Sequence, residues 1–187
     1  MIQMAEQKKQ KKKKKGRRSY LADFRKDAAG NYKYTGNVYA YDGTETERKK
    51  YVLTLGILVV MSVALAVTQE LLPGTKMSNQ FYVLIPWLLQ FLSASAVCWA
   101  YVRLAYGGSR LREYVWEGSD RKIPRRVVFT LIFSLATALA EIIYISINGL
   151  GDRAVSTVLR PCLSLINGAV SLLLHLLVKG ESRYRKI

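Results

Sequence analysis

The chain has 187 residues, of which 50% are hydrophobic and 22% charged, and it carries a formal net charge of +16. The apolar residues fall in four long blocks with nearly all charges between or outside them, which argues against an ordinary soluble domain. One histidine, two cysteines and no clustered carboxylates supply no ligand set for zinc. We therefore predict no metal site, no cofactor and no catalytic site.

Residues 1–30 are predicted to form a basic tail. Residues 8–18 are almost all Lys and Arg, a run that repels itself and attracts anionic lipid headgroups or nucleic acid. Since the membrane is already at hand, we expect lipid headgroups as the partner; the alternative is that the run only determines topology. The spacing of Tyr20, Leu21, Phe24 and Ala28 favours a short amphipathic helix on the membrane surface.

Residues 31–43 alternate in character around Gly36-Asn37, a dipeptide that suits a two-residue hairpin turn. We predict a short β-hairpin that places its tyrosines on one face. Because an isolated hairpin is marginal in water, this face needs a docking surface, which is the headgroup layer, the middle loop or another protein. A two-stranded ribbon is a poor platform for stacked bases, so nucleic acid is disfavoured as a partner. The predicted docking residues are Tyr32, Tyr34, Tyr39 and Tyr41.

Four apolar runs follow, each with the roughly 20 residues that a helix needs to cross a bilayer. The links between the first and second runs and between the third and fourth are short and rich in turn-forming residues, so each pair should be antiparallel. The sequence therefore predicts an all-α membrane protein built from two tandem helical hairpins, at 51–106 and 127–178. The predicted spanning helices are 51–72, 81–106, 127–148 and 154–178.

Charge counts predict the orientation. Residues 1–50 hold 15 Lys/Arg against 6 Asp/Glu, residues 103–126 hold 7 against 3, and residues 179–187 hold 4 against 1. Each short link within a hairpin carries one base. By the positive-inside rule, both termini and the middle loop are cytoplasmic, in a multi-pass protein of the cell membrane.

The middle loop, residues 107–126, is predicted to be a cytoplasmic linker. Within it, residues 109–116 have the pattern of a short interfacial helix, which Gly118 would end. Residues 179–187 complete the prediction as a basic C-terminal tail.

The two hairpins resemble each other in sequence. Residues 83–88 and 158–163 share the pattern V-L-x-P-x-L, with Pro86 matched to Pro161. We interpret this as an internal repeat whose copies insert with the same orientation, about an axis along the membrane normal. Two similar hairpins without a transport role would produce the same pattern.

Two charged residues lie more than one helical turn inside the predicted spanning helices, at similar depth. Glu141 lies near the end of the third helix and Arg160 near the start of the fourth. Charges at such depth are costly and face a partner, a water-filled cavity or the interior between helices. We predict a Glu141–Arg160 ion pair, which either pins the two helices together or serves an outward-facing substrate or ion site. Further residues predicted to line such a site are Gln69, Glu70, Gln90 and Asn167.

One histidine and one buried carboxylate supply no evident acid and base pair, so the sequence predicts that the chain is not an enzyme. We expect an accessory or scaffold subunit that acts through protein and lipid contacts, with a protein partner or further copies of itself. The alternative is a small oligomeric transporter or channel component that uses the site around Glu141 and Arg160.

Overall fold

The computed structural model describes residues 23–27, 30–72, 76–179 and 183–187. The lysine-rich run at 8–18 lies outside the described residues, as do residues 20–22 and 28 of the predicted amphipathic helix. The chain divides into two compact units, residues 1–37 and residues 38–187.

In the described part of the chain, four helices are long and apolar enough to cross a membrane, as predicted. Two of them have the predicted bounds, and the other two begin a few residues earlier than expected. A short fifth helix, α3, lies in the middle loop at Glu113–Gly118. The long helices are α1 (Glu45–Leu71), α2 (Phe81–Tyr106), α4 (Ile123–Asn148) and α5 (Ala154–Val178).

The early starts of α1 and α4 have local causes. The Thr44 hydroxyl accepts a hydrogen bond from the Glu47 backbone N–H at 3.3 Å, and the Glu47 carboxylate accepts one from the Thr44 backbone N–H at 2.9 Å. This capping box satisfies donors that a helix N-terminus leaves unpaired, so α1 extends through the charged residues that precede the apolar run. In α4, Pro124 occupies the first turn, where its missing N–H costs little.

The long helices pack around a common interior, with α1 and α4 each contacting both α2 and α5. The described part of the first link, residues 76–80, and the second link, residues 149–153, lie at one end of the helices, here called the link end. The largest apolar cluster lies toward the opposite end. Its fully buried members include Leu55 of α1, Leu104 of α2 and Val127 of α4.

The helix surfaces are apolar outside and partly polar inside. Large side chains face outward with high exposure, such as Leu53 at 65%, Leu139 at 61% and Val155 at 82%. Several of the fully enclosed side chains are polar. A soluble protein would not leave so much apolar surface in water, so this distribution fits helices surrounded by lipid. Within the predicted spanning segments, the buried polar residues are Ser62, Gln69, Gln90, Thr130, Ser134, Thr137, Glu141, Thr157, Arg160, Ser164, Asn167 and Ser171.

The predicted hairpin at 31–43 is wrong in its pairing, although both of its strands exist. Strand β2 (Tyr32–Tyr34) pairs antiparallel with β1 (Phe24–Lys26), with Tyr34 opposite Phe24. Strand β3 (Val38–Tyr41) belongs to a different, three-stranded sheet. The first sheet also replaces part of the predicted amphipathic helix with a strand at residues 24–26, where the Phe24 and Tyr34 rings meet edge to face at 5.3 Å.

The three-stranded sheet joins segments far apart in sequence. Strand β3 lies between β4 (Arg110–Arg112) and β5 (Tyr184–Lys186), antiparallel to both. The helix predicted at 109–116 is therefore wrong in its first half, since residues 110–112 form a strand and only then does α3 begin. Pairing with β3 explains this, because it buries Leu111 completely. The predicted end of the short helix at Gly118 agrees with the structure.

Candidate functional site

Glu141 is the centre of a buried polar cluster near the link end. Its side chain is fully enclosed, and both carboxylate oxygens accept hydrogen bonds. Oε1 accepts from Gln69 Nε2 at 2.9 Å and from Arg160 Nε at 3.2 Å, while Oε2 accepts from the Ser164 hydroxyl at 2.9 Å. Gln69 also donates to the Ser164 hydroxyl oxygen. Three donors compensate this carboxylate for the loss of water.

Arg160 connects Glu141 to two more elements. Its guanidinium is 1% exposed and donates from Nη2 to Glu70 Oε2 at 2.5 Å and from Nη1 to the Ser78 hydroxyl at 2.9 Å. Glu70 keeps 27% of its side chain exposed, so it marks the outer edge of the cluster. The cluster thus joins one guanidinium to two carboxyl groups.

Helical spacing explains the positions of these groups. Arg160, Ser164, Asn167 and Ser171 follow one another at intervals of three or four residues and therefore share one face of α5. In the same way, α4 presents Glu141 on the face that also carries Thr137, Ser134 and Thr130. The two faces meet in the interior, which brings the deepest charges together.

The structure brings four of the six predicted intramembrane residues into one network: Glu141, Arg160, Gln69 and Glu70. Asn167 lies apart from this network and accepts a hydrogen bond from the Ser62 hydroxyl at 2.7 Å. Gln90 is fully buried, and within the described part of the chain neither of its amide atoms has a hydrogen-bond partner.

Sequence reasoning missed two members of the cluster. Ser164 lies one helical turn after Arg160, so its spacing could have indicated it. Ser78 lies in the short 3₁₀ helix Lys76–Asn79, whose position against Arg160 depends on how the link folds back. No sequence pattern marks that geometry.

The four predicted docking tyrosines do not share a face, because they belong to two different sheets. Tyr32 is 70% exposed. Tyr39 stacks on Trp116 of α3, with ring centroids 4.2 Å apart and planes at 5°. Tyr41 meets Tyr184 of β5 edge to face at 5.4 Å. The middle loop, one of the three predicted docking surfaces, is thus the one that Tyr39 contacts.

These contacts hold strands β3, β4 and β5 and helix α3 together at the end opposite the links. This assembly is here called the cap. Leu111 and Tyr184 are buried with Tyr51 and Leu104 in the main apolar cluster. Burial raises the pKa of the Tyr184 hydroxyl to about 12. The C-terminal strand is also tied to α1 by Arg183, whose guanidinium carbon lies 4.4 Å from the centre of the Tyr51 ring.

No protein-family model, no curated protein and no solved structure matches this chain. Among the described residues, no group of His, Cys, Asp and Glu is arranged to hold a metal ion. Functional inference therefore depends on the polar cluster and on the cap.

Proposed function

We propose that the chain is a multi-pass protein of the cell membrane that acts as an accessory or scaffold subunit, with the cap as its cytoplasmic contact surface. The observation that carries this proposal is the way the cap is assembled. Segments before α1, between α2 and α4, and after α5 converge into one sheet. The sheet packs one face on the apolar cluster of the helices, and it brings three separate segments together into one surface beyond the helix ends.

The cap also supports the proposed orientation. Strand β3 pairs with both β4 and β5, which supports a common side of the membrane for the segments just before α1, in the middle loop and after α5. The segments that meet there, residues 38–50, 103–126, 179 and 183–187, carry 14 Lys/Arg against 6 Asp/Glu. A basic excess of this kind favours the cytoplasmic side, and it attracts anionic headgroups at the membrane surface.

Within this proposal, the buried cluster has a structural role. Through hydrogen bonds, the Glu141 carboxylate and the Arg160 guanidinium connect α4 and α5 to side chains of α1 and of the first link. These contacts compensate the cost of placing charged groups within the spanning helices. Polar contacts between helices are a common means of association in lipid. We retain the two-hairpin repeat as part of the proposal, in which the second copy carries this additional polar pair.

Isolation of the tagged protein from its native membrane in mild detergent tests the proposal. A stoichiometric partner, or a defined homo-oligomer, should accompany the wild-type chain and be lost in Tyr39→Ser, which removes the stack on Trp116. Tyr32→Ser is the matched control, because Tyr32 is exposed and lies in the other sheet. Isolation of a single chain without any partner from the native membrane would contradict the proposal.

A second function, as a transporter or channel component, is favoured by one observation. In the described interior, Gln90 and the Asn167 Nδ2 atom lack hydrogen-bond partners, and enclosed polar atoms without partners are able to bind a solute. Reconstituted protein should then move an ion or solute across vesicle membranes, and Gln90→Leu should abolish that flux while the protein stays folded. Equal flux in vesicles with and without the protein would exclude this function.

A further inference from the structure

The apolar layer ends on the cap side close to the ends of α4 and α5. Val97, Val127 and Leu174 line one small interior cavity, so these positions of α2, α4 and α5 lie at a similar depth. Val127 is the fifth residue of α4 and Leu174 is the fifth from the end of α5, which places both about 6 Å inside their helix ends. The start of α4 therefore marks this boundary, and α2 continues beyond it to Tyr106.

Three cations lie at this boundary around the start of α4. Lys122 is three residues before Arg125 and four before Arg126, so the three side chains are neighbours on one side of the helix. Lys122 and Arg125 are exposed. In the described part of the chain none of the three forms an ion pair, and the first turn of α4 contains no acidic residue. The described residues therefore supply no counter-charge to this group.

Arg126 connects the cationic group to α2. Its Nη1 donates a hydrogen bond to the Ala96 carbonyl at 2.6 Å, which holds the half-buried guanidinium against α2. A carbonyl carries no net charge, and a guanidinium has five N–H donors. The contact with Ala96 therefore fixes the position of Arg126 without neutralising it, and further donors remain for an anion.

Exposed apolar side chains flank the cationic group. Trp99 lies one helical turn from Ala96 toward the cap and Leu92 one turn away in the other direction, and their exposed fractions are 64% and 54%. On α4, Phe129 is 54% exposed and lies one turn after Arg125. A tryptophan ring prefers the headgroup level of a bilayer. The surface between the two helices, here called the α2–α4 groove, is thus cationic at the boundary and apolar below it.

We propose that the α2–α4 groove is a binding site for one anionic phospholipid of the leaflet on the cap side. The headgroup phosphate lies against Arg126 and Arg125, since a guanidinium fork matches phosphate oxygens in two parallel hydrogen bonds. Lys122 adds a third charge, which favours an anionic headgroup over a zwitterionic one. One acyl chain lies along Leu92 and Phe129. This inference goes beyond the scaffold function and depends only on the spanning helices.

A soluble phosphate compound fits the groove less well than a phospholipid. It would contact the cations alone, whereas a phospholipid covers the cationic and the apolar parts of the groove with one molecule. A phospholipid is also confined to the bilayer beforehand, so it loses less freedom of motion on binding than a soluble anion does. Both points favour the lipid as the occupant.

Quenching of Trp99 fluorescence by lipids with brominated acyl chains tests the site. The full-length chain carries Trp87→Phe and Trp116→Phe, which leaves Trp99 as the one tryptophan of the sequence. It is reconstituted in phosphatidylcholine vesicles that contain brominated phosphatidylglycerol or brominated phosphatidylcholine at the same low mole fraction. The ratio of the two quenching constants measures the preference for the anionic lipid beside Trp99, away from the lysine-rich tail.

Two variants remove charge from the groove, and a matched control removes it elsewhere. Lys122→Gln with Arg125→Gln changes exposed side chains and leaves Arg126 in place, so folding should be unaffected. Arg126→Gln removes the guanidinium that is fixed on α2. The control is Lys49→Gln with Lys50→Gln, which removes the same charge as the first variant from the exposed start of α1. Circular dichroism checks that each variant is folded.

With all bases intact, Trp99 should favour phosphatidylglycerol about fivefold or more, the effect of one base near an anionic headgroup. Both groove variants should bring the preference below about twofold, and the lysine control should retain it. Equal quenching by the two lipids, an equal loss in the two double variants, or displacement of the brominated lipid by inorganic phosphate would overturn the inference. If Arg126→Gln does not fold, the exposed pair decides. Partner isolation from the native membrane tests the scaffold proposal independently of these results.

Discussion

The buried cluster makes a quantitative prediction about stability, because its charges have unequal numbers of partners. Arg160→Leu leaves two carboxylates, Glu141 and Glu70, without their shared cation. Loss of one member of a buried ion pair costs about 3–5 kcal/mol. We expect the free energy of unfolding to fall by that amount.

Glu141→Leu should cost less, because Arg160 keeps its contact with Glu70 at 2.5 Å. The loss is that of hydrogen bonds to a charged group, about 1.5–3 kcal/mol. In the double variant, which combines Glu141→Leu with Arg160→Leu, Gln69 still donates a hydrogen bond to Ser164. Glu70 is exposed enough to be solvated at the edge of the cluster. Replacement of a buried ion pair by apolar residues is often neutral, so the double variant should lie within about 1 kcal/mol of the wild type.

Equilibrium unfolding in mixed micelles, followed by circular dichroism, measures these differences, with complete membrane insertion of each variant as the control. The predicted order of stability places the wild type and the double variant together, then Glu141→Leu, then Arg160→Leu. A double variant less stable than both single variants would refute the cluster as the shared environment of the two charges. Equal losses in the two single variants would refute the role of Glu70.

Three further predictions concern packing and titration. Tyr39→Ala should lower the free energy of unfolding by about 0.5–1.5 kcal/mol beyond the loss of its buried area, with unfolding followed by the fluorescence of Trp116. The control Tyr32→Ala should change the free energy of unfolding by less than about 0.5 kcal/mol, and equal effects of the two variants would contradict the stack. A Cβ at Gly56 would collide with the phenol end of Tyr101, so Gly56→Ala should cost about 1–3 kcal/mol of packing, offset by about 1 kcal/mol from the better helix propensity of alanine. Tyr101→Ala in the same chain should remove the packing cost and leave the propensity gain; full additivity of the two changes would contradict the close approach. Burial raises the pKa of the Tyr184 hydroxyl from 10.0 to about 12, so between pH 10 and pH 12 the unfolded chain loses this proton and the folded chain keeps it. The free energy of unfolding is therefore unaffected by this group below pH 10 and falls as the pH rises from 10 to 12. Tyr184→Phe should remove this part of the decline in a pH series of unfolding curves, and an unchanged decline would contradict the burial.

The four long helices were predictable because length and apolar composition alone decide whether a helix can cross a bilayer. The Glu141–Arg160 contact was also predictable, since both residues fall at a similar depth on helices joined by a short link. Glu70 was named as a lining residue, but its bond to Arg160 depends on the rotation of α1, which the sequence does not reveal.

The cap was not predictable for a different reason. Its strands are only three or four residues long, and a helical hairpin lies in the sequence between β3 and β4 and again between β4 and β5. No local periodicity therefore indicates that these strands pair. The Gly36-Asn37 dipeptide indicated a two-residue hairpin turn that does not form, and only a bend lies at Gly36. Strand β3 pairs with β4 and β5 over the apolar cluster, whereas a two-stranded hairpin would be marginal in water.

Topology mapping tests the central claim most directly, since a cytoplasmic cap requires its three segments on one side of the membrane. Reporters fused within 110–122 and after Val178 should read cytoplasmic, together with a tag at the N-terminus. Reporters at 74–79 and 150–152 should read external. An external reading for the C-terminus, or for the middle loop, would be incompatible with a sheet that joins β3, β4 and β5.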